Sequence, residues 1–404
     1  MRLKILPVIL LAMAIALSPS FFLGKIDGGR VIELRVEDFL LVLLTFFWIG
    51  EFLLSGRGKI KKPPLFSLIL IWLGFGTFSV LLNWLLGNIT PSRGFFYFLK
   101  EIEFFLIYFF VFYHLHDVDS VKLIVKTWIF LGAANVLWII YETVTHSQQT
   151  FYYGPTAFFE PTGTLPSGGF FLVIFTFLSN LLLYYFLALK ISNVKKAILT
   201  ILAISPAIGV FASGSRASFW GISTAVLFTL IFYLFKKGVK KSLLIGICSL
   251  VVVSLAFIFV LQNVPGVGRI LSFQAPTDRI WLWGAQVEEF SKQPGLFLFG
   301  MGKSVFLVAD ESHSQYIRNL VETGAIGSLL FLVLVSGIIK KGVSWFFSSQ
   351  DRFSGGLAIG AAVATISLLV IGISAEVFIV VKVMEIYWFF VAIAMASLSL
   401  KSQS

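Results

Sequence analysis

The sequence predicts an all-α protein, a polytopic integral membrane bundle of about twelve helices forming one domain over 1–404. Three observations carry that expectation. Of 404 residues, 58% are hydrophobic and only 13% are charged, against about 25% charged in a soluble domain. The mean hydropathy is +0.94, more apolar surface than a water-soluble core hides, so the solvent is a bilayer. Apolar runs of the roughly twenty residues needed to cross a membrane recur at 3–23, 36–55, 65–87, 94–113, 121–141, 166–189, 195–212, 217–235, 242–262, 314–339, 355–375 and 380–400.

The first run follows Arg2 and Lys4 and so resembles a signal peptide. It lacks a convincing small-x-small cleavage site before Phe21-Phe22, and a retained helix is expected. The later runs are oriented by charge. GRGKIKK (56–62), KISNVKK (190–196), KKGVKK (236–241) and KK (340–341) fall where an N-in chain meets the cytoplasm, whereas the outward loop 142–165 holds no Lys or Arg. Both termini are therefore expected to be cytoplasmic. The longest loop, 263–312, then faces outward. The net charge of +11 reflects these cytoplasmic clusters and not a nucleic-acid partner. One cysteine, Cys248, excludes a disulfide framework and a cysteine-based metal site. No internal repeat and no Gly- or Pro-broken helix pair in matching halves is visible.

Charges that resist this greasy background point to function. In ASGSRASFWG (212–221), Arg216 has no acid within ten residues. Ser213 or Ser215 can cap the following helix and Gly214 allows a tight turn. Free N–H groups, the helix dipole and the guanidinium would then converge as an anion site at the outer interface. The plain alternative is an arginine that snorkels to lipid phosphates.

TDRIWLWGAQVEEF (277–290) has Thr277 and Asp278 as helix start signals, with Ile280, Trp283, Val287 and Phe290 on one apolar face. A short helix lying on the membrane is expected, with Arg279 in its first turn against the dipole. DESHSQYIRNLVETGAIG (310–327) places His313 at the outer mouth of the next span. Histidine suits proton transfer near neutrality, although a lone histidine is most often structural. In FLKEIEFF (98–105), Lys100 and Glu103 either support a polar cavity or merely neutralise each other at i and i+3. HLHDVD (114–119) reads as a solvated cytoplasmic loop. GMGK (300–303) lacks the spacing of a phosphate loop.

The succession of GSRAS at a helix start, DRIWLWGA before QPGLFLFGMG, and HSQYIRNLVETGAIGSLLFL resembles the O-antigen ligase and polymerase family. The likeness is sharpest over 205–335, and GPTAFFEPTGTLPSGGFFL (154–172) adds to it. The resemblance implies a bacterial inner-membrane glycosyltransferase that handles a glycan on undecaprenyl diphosphate at the outer, periplasmic face. The resemblance implies no requirement for a nucleotide, metal or other cofactor. It implies diphosphate-binding roles for Arg216 and Arg279, with Ser215 at the same helix start. It implies an essential role for His313, as general base or as diphosphate ligand. Many members of that family have asparagine where this chain has Ser314. Three readings remain open from the sequence: a ligase to lipid A-core, slightly preferred; a polymerase joining repeat units to a growing glycan; and a flippase or transporter of lipid-linked oligosaccharide. The one-sided placement of the arginines and histidine favours chemistry at an interface over passage through the membrane.

Overall fold

A computed structural model describes residues 5–17, 20–25, 31–54, 62–145, 164–238, 276–305 and 312–401. The expected span 242–262, Cys248, most of loop 142–165 and residues 263–275 of the outer loop lie outside the described residues. Eight helical stretches among the described residues, Asn193–Ala212 taken as one, are long and apolar enough to cross a membrane, so the protein is an all-α multi-pass membrane protein. Two further expected spans, α2 (Val36–Leu54) and α4 (Pro91–His114), are helical but more charged. Glu37, Asp38 and Glu51 lie in α2, and Arg93, Lys100, Glu101 and Glu103 in α4.

The first expected span, 3–23, is corrected. Helix α1 covers only Leu6–Leu17, and Ser20–Lys25 (β1) pairs antiparallel with Val31–Arg35 (β2). The helix ends ahead of Pro19, which disfavours helix in the residue before it. Phe21 and Phe22 of β1 and Val31 and Ile32 of β2 are residue types that suit a strand as well as an apolar helix.

The described residues divide into two compact units. In the first (Met1–Thr127, Thr277–Ile338, Gly372–Ser404), α13 (Val381–Lys401) is buried along most of its length. It packs on α4, where Trp388 meets Phe105 edge-on at 4.7 Å. Helix α3 (Phe66–Leu85) closes against α4 at Gly76, whose missing side chain leaves room for Phe98. Phe46, Phe47, Leu54 and Leu85 remain exposed, as lipid-facing helix surfaces require.

In the second unit (Trp128–Pro276, Ile339–Ile371), helices α6 (Thr164–Tyr184), α9 (Arg216–Lys236) and α12 (Arg352–Ile371) pack through small residues. A Cβ on Gly221 would lie 2.6 Å from Leu172, and one on Gly360 would lie 3.0 Å from Phe177. The expected span 195–212 is two helices, α7 (Asn193–Ile204) and α8 (Pro206–Ala212), divided at Ser205 by the proline. Helix α5 (Val118–Thr145) begins in the first unit and ends in the second.

Helix α11 (Gln315–Ser348) breaks at Gly324, with φ 67° and ψ −170°. That region of backbone space is nearly exclusive to glycine. Backbone groups freed by a break must be satisfied internally at membrane depth, and the loop bearing GMGK does this. Met301 N–H donates to Val321 O at 2.8 Å, Gly302 N–H to Glu322 O at 3.0 Å, and Ala325 N–H to Phe297 O at 2.9 Å. A Cβ on Gly324 would sit 2.5 Å from Gly300 N. Gly324→Ala is therefore expected to cost at least the ~1–3 kcal/mol of a forced backbone conformation, read as a lower Tm in detergent. An unchanged Tm would mean that the break relaxes freely.

Candidate functional site

The start of α9 forms as its residues dictate. Ser215 is the N-cap, its Oγ accepting from Ser218 N–H at 3.2 Å. Ser213 Oγ accepts from Ser215 N–H at 3.3 Å, and Gly214 adopts φ 63° between them. Gly168 of α6 lies so close that a Cβ there would stand 2.6 Å from Ser213 Oγ. Arg216 is the first helical residue and is half-buried, at the positive end of a 21-residue helix dipole.

The other expected residues lie in the first unit. Helix α10 (Pro276–Ser291) forms as expected, but its buried face is offset. Gln286 and Phe290 are buried and Trp283 half-buried, whereas Ile280, Trp281 and Val287 are exposed. Phe290 packs with Met301 and Val321 and so seats the helix on α11. Arg279 Nη1 donates to Ser374 O at 2.8 Å. Burial lowers the pKa of its guanidinium from the ordinary arginine value, yet arginine stays charged at neutral pH. One turn on, Trp283 Nε1 donates to Ser312 O at 2.8 Å, beside His313.

His313 is half-buried and sits at φ 49°, a left-handed conformation that histidine tolerates better than most residues. Its flanks are anchored. Ser312 N–H donates to Glu376, whose carboxylate also takes Arg318. Gln315 N–H donates to Gly372 O at 2.8 Å. Arg318 pairs with Glu322 at 2.6 Å, Glu322 accepts from Ser304 N–H at 2.7 Å, and Arg93 Nε donates to Ser304 Oγ at 2.9 Å. Arg318, Glu322 and Glu376 are all buried. The segment Ser374–Glu376 thus holds Arg279 at one end and the His313 turn at the other.

Sequence reasoning missed this ion triad. Arg318 and Glu322 stand at i and i+4 on one helix, a readable signal. Glu376 lies 58 residues from Arg318, with no local sign of its role.

A partly open cleft of ≈ 510 Å³ lies in the same unit, with Trp72, Glu101, Lys303, Gln315, Asn319 and Glu322 at its polar end. Trp72 Nε1 donates to Glu101 at 2.7 Å, and Lys303 lies 3.1 Å from the same carboxylate. Lys100 and Glu103 do not line this cleft. Lys100 bridges Glu103 at 2.9 Å and Asp38 at 2.7 Å. In HLHDVD, a ring nitrogen of His114 bonds Phe110 O at 2.7 Å, and Asp117 caps α5 by accepting from Ser120 N–H.

Arg279 and His313 thus lie in one unit, Ser215 and Arg216 in the other. Among curated proteins none matches the chain. Residues 198–332 match the family model described as O-antigen ligase. That stretch holds Ser215, Arg216, Arg279, His313, Arg318, Glu322 and the break at Gly324, and over these residues the chain is similar to the O-antigen ligase family.

Proposed function

We propose that this protein is a bacterial inner-membrane glycosyltransferase that moves a glycan from undecaprenyl diphosphate to an acceptor hydroxyl at the periplasmic face. The acceptor is lipid A-core. The observation that supports it most directly is the anchoring of Arg279 and of Ser312, the residue before His313, to the two ends of Ser374–Glu376. A general base whose turn is held by the same short segment that binds a cation suits displacement of an anionic leaving group.

In this reading His313 accepts the proton of the attacking hydroxyl as its oxygen bonds to the anomeric carbon. The bond from that carbon to the phosphate oxygen breaks, and undecaprenyl diphosphate leaves with the electron pair. The reaction inverts the anomeric centre. Arg279 and Arg216 offset the charge that develops on the diphosphate. Preorganised cations do this best in a partly dry site. Ser215 contributes by capping and fixing the start of α9 under Arg216. Lys100 and Glu103, tied to Asp38, brace the polar interior behind the site.

Arg216→Lys is expected to retain less than about a tenth of the wild-type transfer rate, because a point charge does not reproduce the bidentate guanidinium fork. Rates measured on saturating donor would check this. Full activity in the lysine variant would reduce Arg216 to a lipid contact.

Purified protein supplied with undecaprenyl-diphosphate-linked repeat units, with and without lipid A-core, tests the acceptor. Transfer only when lipid A-core is present is the expected result. A ladder of repeat units without it would make the protein a polymerase.

A further inference from the structure

We infer that Asp38, Glu103 and Glu385 form a binding site for a monovalent alkali cation of sodium's size, at the junction of α2, α4 and α13. Each residue offers a carboxylate oxygen, and the three oxygens lie within 4.8 Å of one another. Hard cations of this size take oxygen ligands at about 2.3–2.6 Å, so ligands on opposite sides of the ion are separated by about that span.

Clustered acids alone would not make a site. What marks this one is the oxygens left over once the surrounding bonds are made. Asp38 accepts from Lys100 Nζ at 2.7 Å through one oxygen and from Arg35 N–H at 2.9 Å through the other. Glu103 uses one oxygen for Lys100 at 2.9 Å. Glu103 Oε1 and both oxygens of Glu385 remain buried with no hydrogen-bond partner in the protein. Glu385 is 0% exposed. Three orphan acceptor oxygens on two of the three clustered carboxylates call for a partner such as a cation, and a packed apolar interface excludes them.

Charge points to the valence. Around this junction stand the acids Glu37, Asp38, Glu103 and Glu385 and the bases Arg35, Lys100 and Lys382, with Lys382 paired to Glu37 at 2.7 Å. Among the described residues, and with every carboxylate ionised, four carboxylates thus face three cations, one negative charge in excess. An uncompensated charge inside a membrane bundle is costly. One monovalent ion balances it, whereas a divalent ion would overshoot. A proton on Glu385 would also balance it, but it satisfies one oxygen where a cation touches three carboxylates at once. The bound ion ties together helices that are far apart in sequence and needs no glycan substrate.

The test uses the full-length protein in detergent, in choline chloride, with NaCl exchanged in at constant total chloride. A saturable rise in Tm of several degrees is expected, with matching heat in a sodium titration. Glu385→Gln and Glu103→Gln are close isosteres that remove one ligand charge each. Both are expected to fold in choline chloride and to lose the sodium response; Glu103→Gln alone decides the matter where Glu385→Gln does not fold. A sodium response that survives both substitutions would overturn the site. So would a wild-type protein that responds to CaCl2 but not to NaCl. A wild type indifferent to sodium and stabilised only by acidification would assign the excess charge to a proton instead.

Discussion

His313→Ala is expected to reduce glycan transfer by about 10²- to 10⁴-fold, the usual contribution of a positioned general base, while the protein stays inserted and folded. The imidazole is half-buried, so its loss opens no core cavity. The turn is held as well by its neighbours, chiefly Ser312 on Glu376 and Gln315 on Gly372. Alanine at φ 49° carries a conformational cost of about 1–2 kcal/mol, too small to unfold a bundle of this size. A second variant separates the two roles open to this residue. His313→Lys supplies a cation but little neutral base near pH 7. It is expected to be as inactive as alanine. Recovery in the lysine variant would move His313 from proton transfer to diphosphate binding.

Arg318→Ala should be the most damaging substitution for stability in the first unit. It strips the shared cation from Glu322 and Glu376, both buried. Breaking one partner from a buried pair costs about 3–5 kcal/mol, and here two carboxylates are stranded together. The damage should spread, since Glu376 holds Ser312 and Glu322 holds Ser304. A markedly lower Tm and loss of transfer are expected together. Neutralising the acids as well, with Glu322→Gln and Glu376→Gln in the Arg318→Met background, should recover much of the Tm but not the activity, because the geometry of the His313 turn depends on the charged bonds. An Arg318→Ala protein with wild-type Tm would show that the triad does not hold this region.

Much of this was legible in the sequence where the signal is local. The Ser-Gly-Ser turn before Arg216 announces a capped helix start, and it forms with Ser215 as the cap. The run after Thr277 announces a helix that forms over Pro276–Ser291. Its buried face was misjudged because apolar residues on a membrane protein face lipid as readily as core. Ile280 and Val287 are exposed, while the polar Gln286 is buried.

Features that depend on distant partners left weaker traces. Nothing around Ser20–Lys25 distinguishes a strand from the end of an apolar span until its partner Val31–Arg35 is known. The break at Gly324 rests on the loop 297–302 that satisfies it, so GMGK, irrelevant to phosphate, turns out to be structural. Glu376 is the clearest case. It is one acid in a hydrophobic stretch, and its meaning comes only from Ser312 and Arg318 meeting it. Lys100 and Glu103 do pair as their spacing foretells, but the third member, Asp38, comes from another helix.

The central claim is that a covalent bond is exchanged, and the released leaving group reports it. Purified protein incubated with undecaprenyl-diphosphate-linked glycan and lipid A-core should liberate free undecaprenyl diphosphate in equal amount to the new glycosidic bonds, with neither product formed by His313→Ala. Donor that stays intact, while reconstituted protein moves it from one leaflet of a vesicle to the other, would contradict the account and make the protein a transporter.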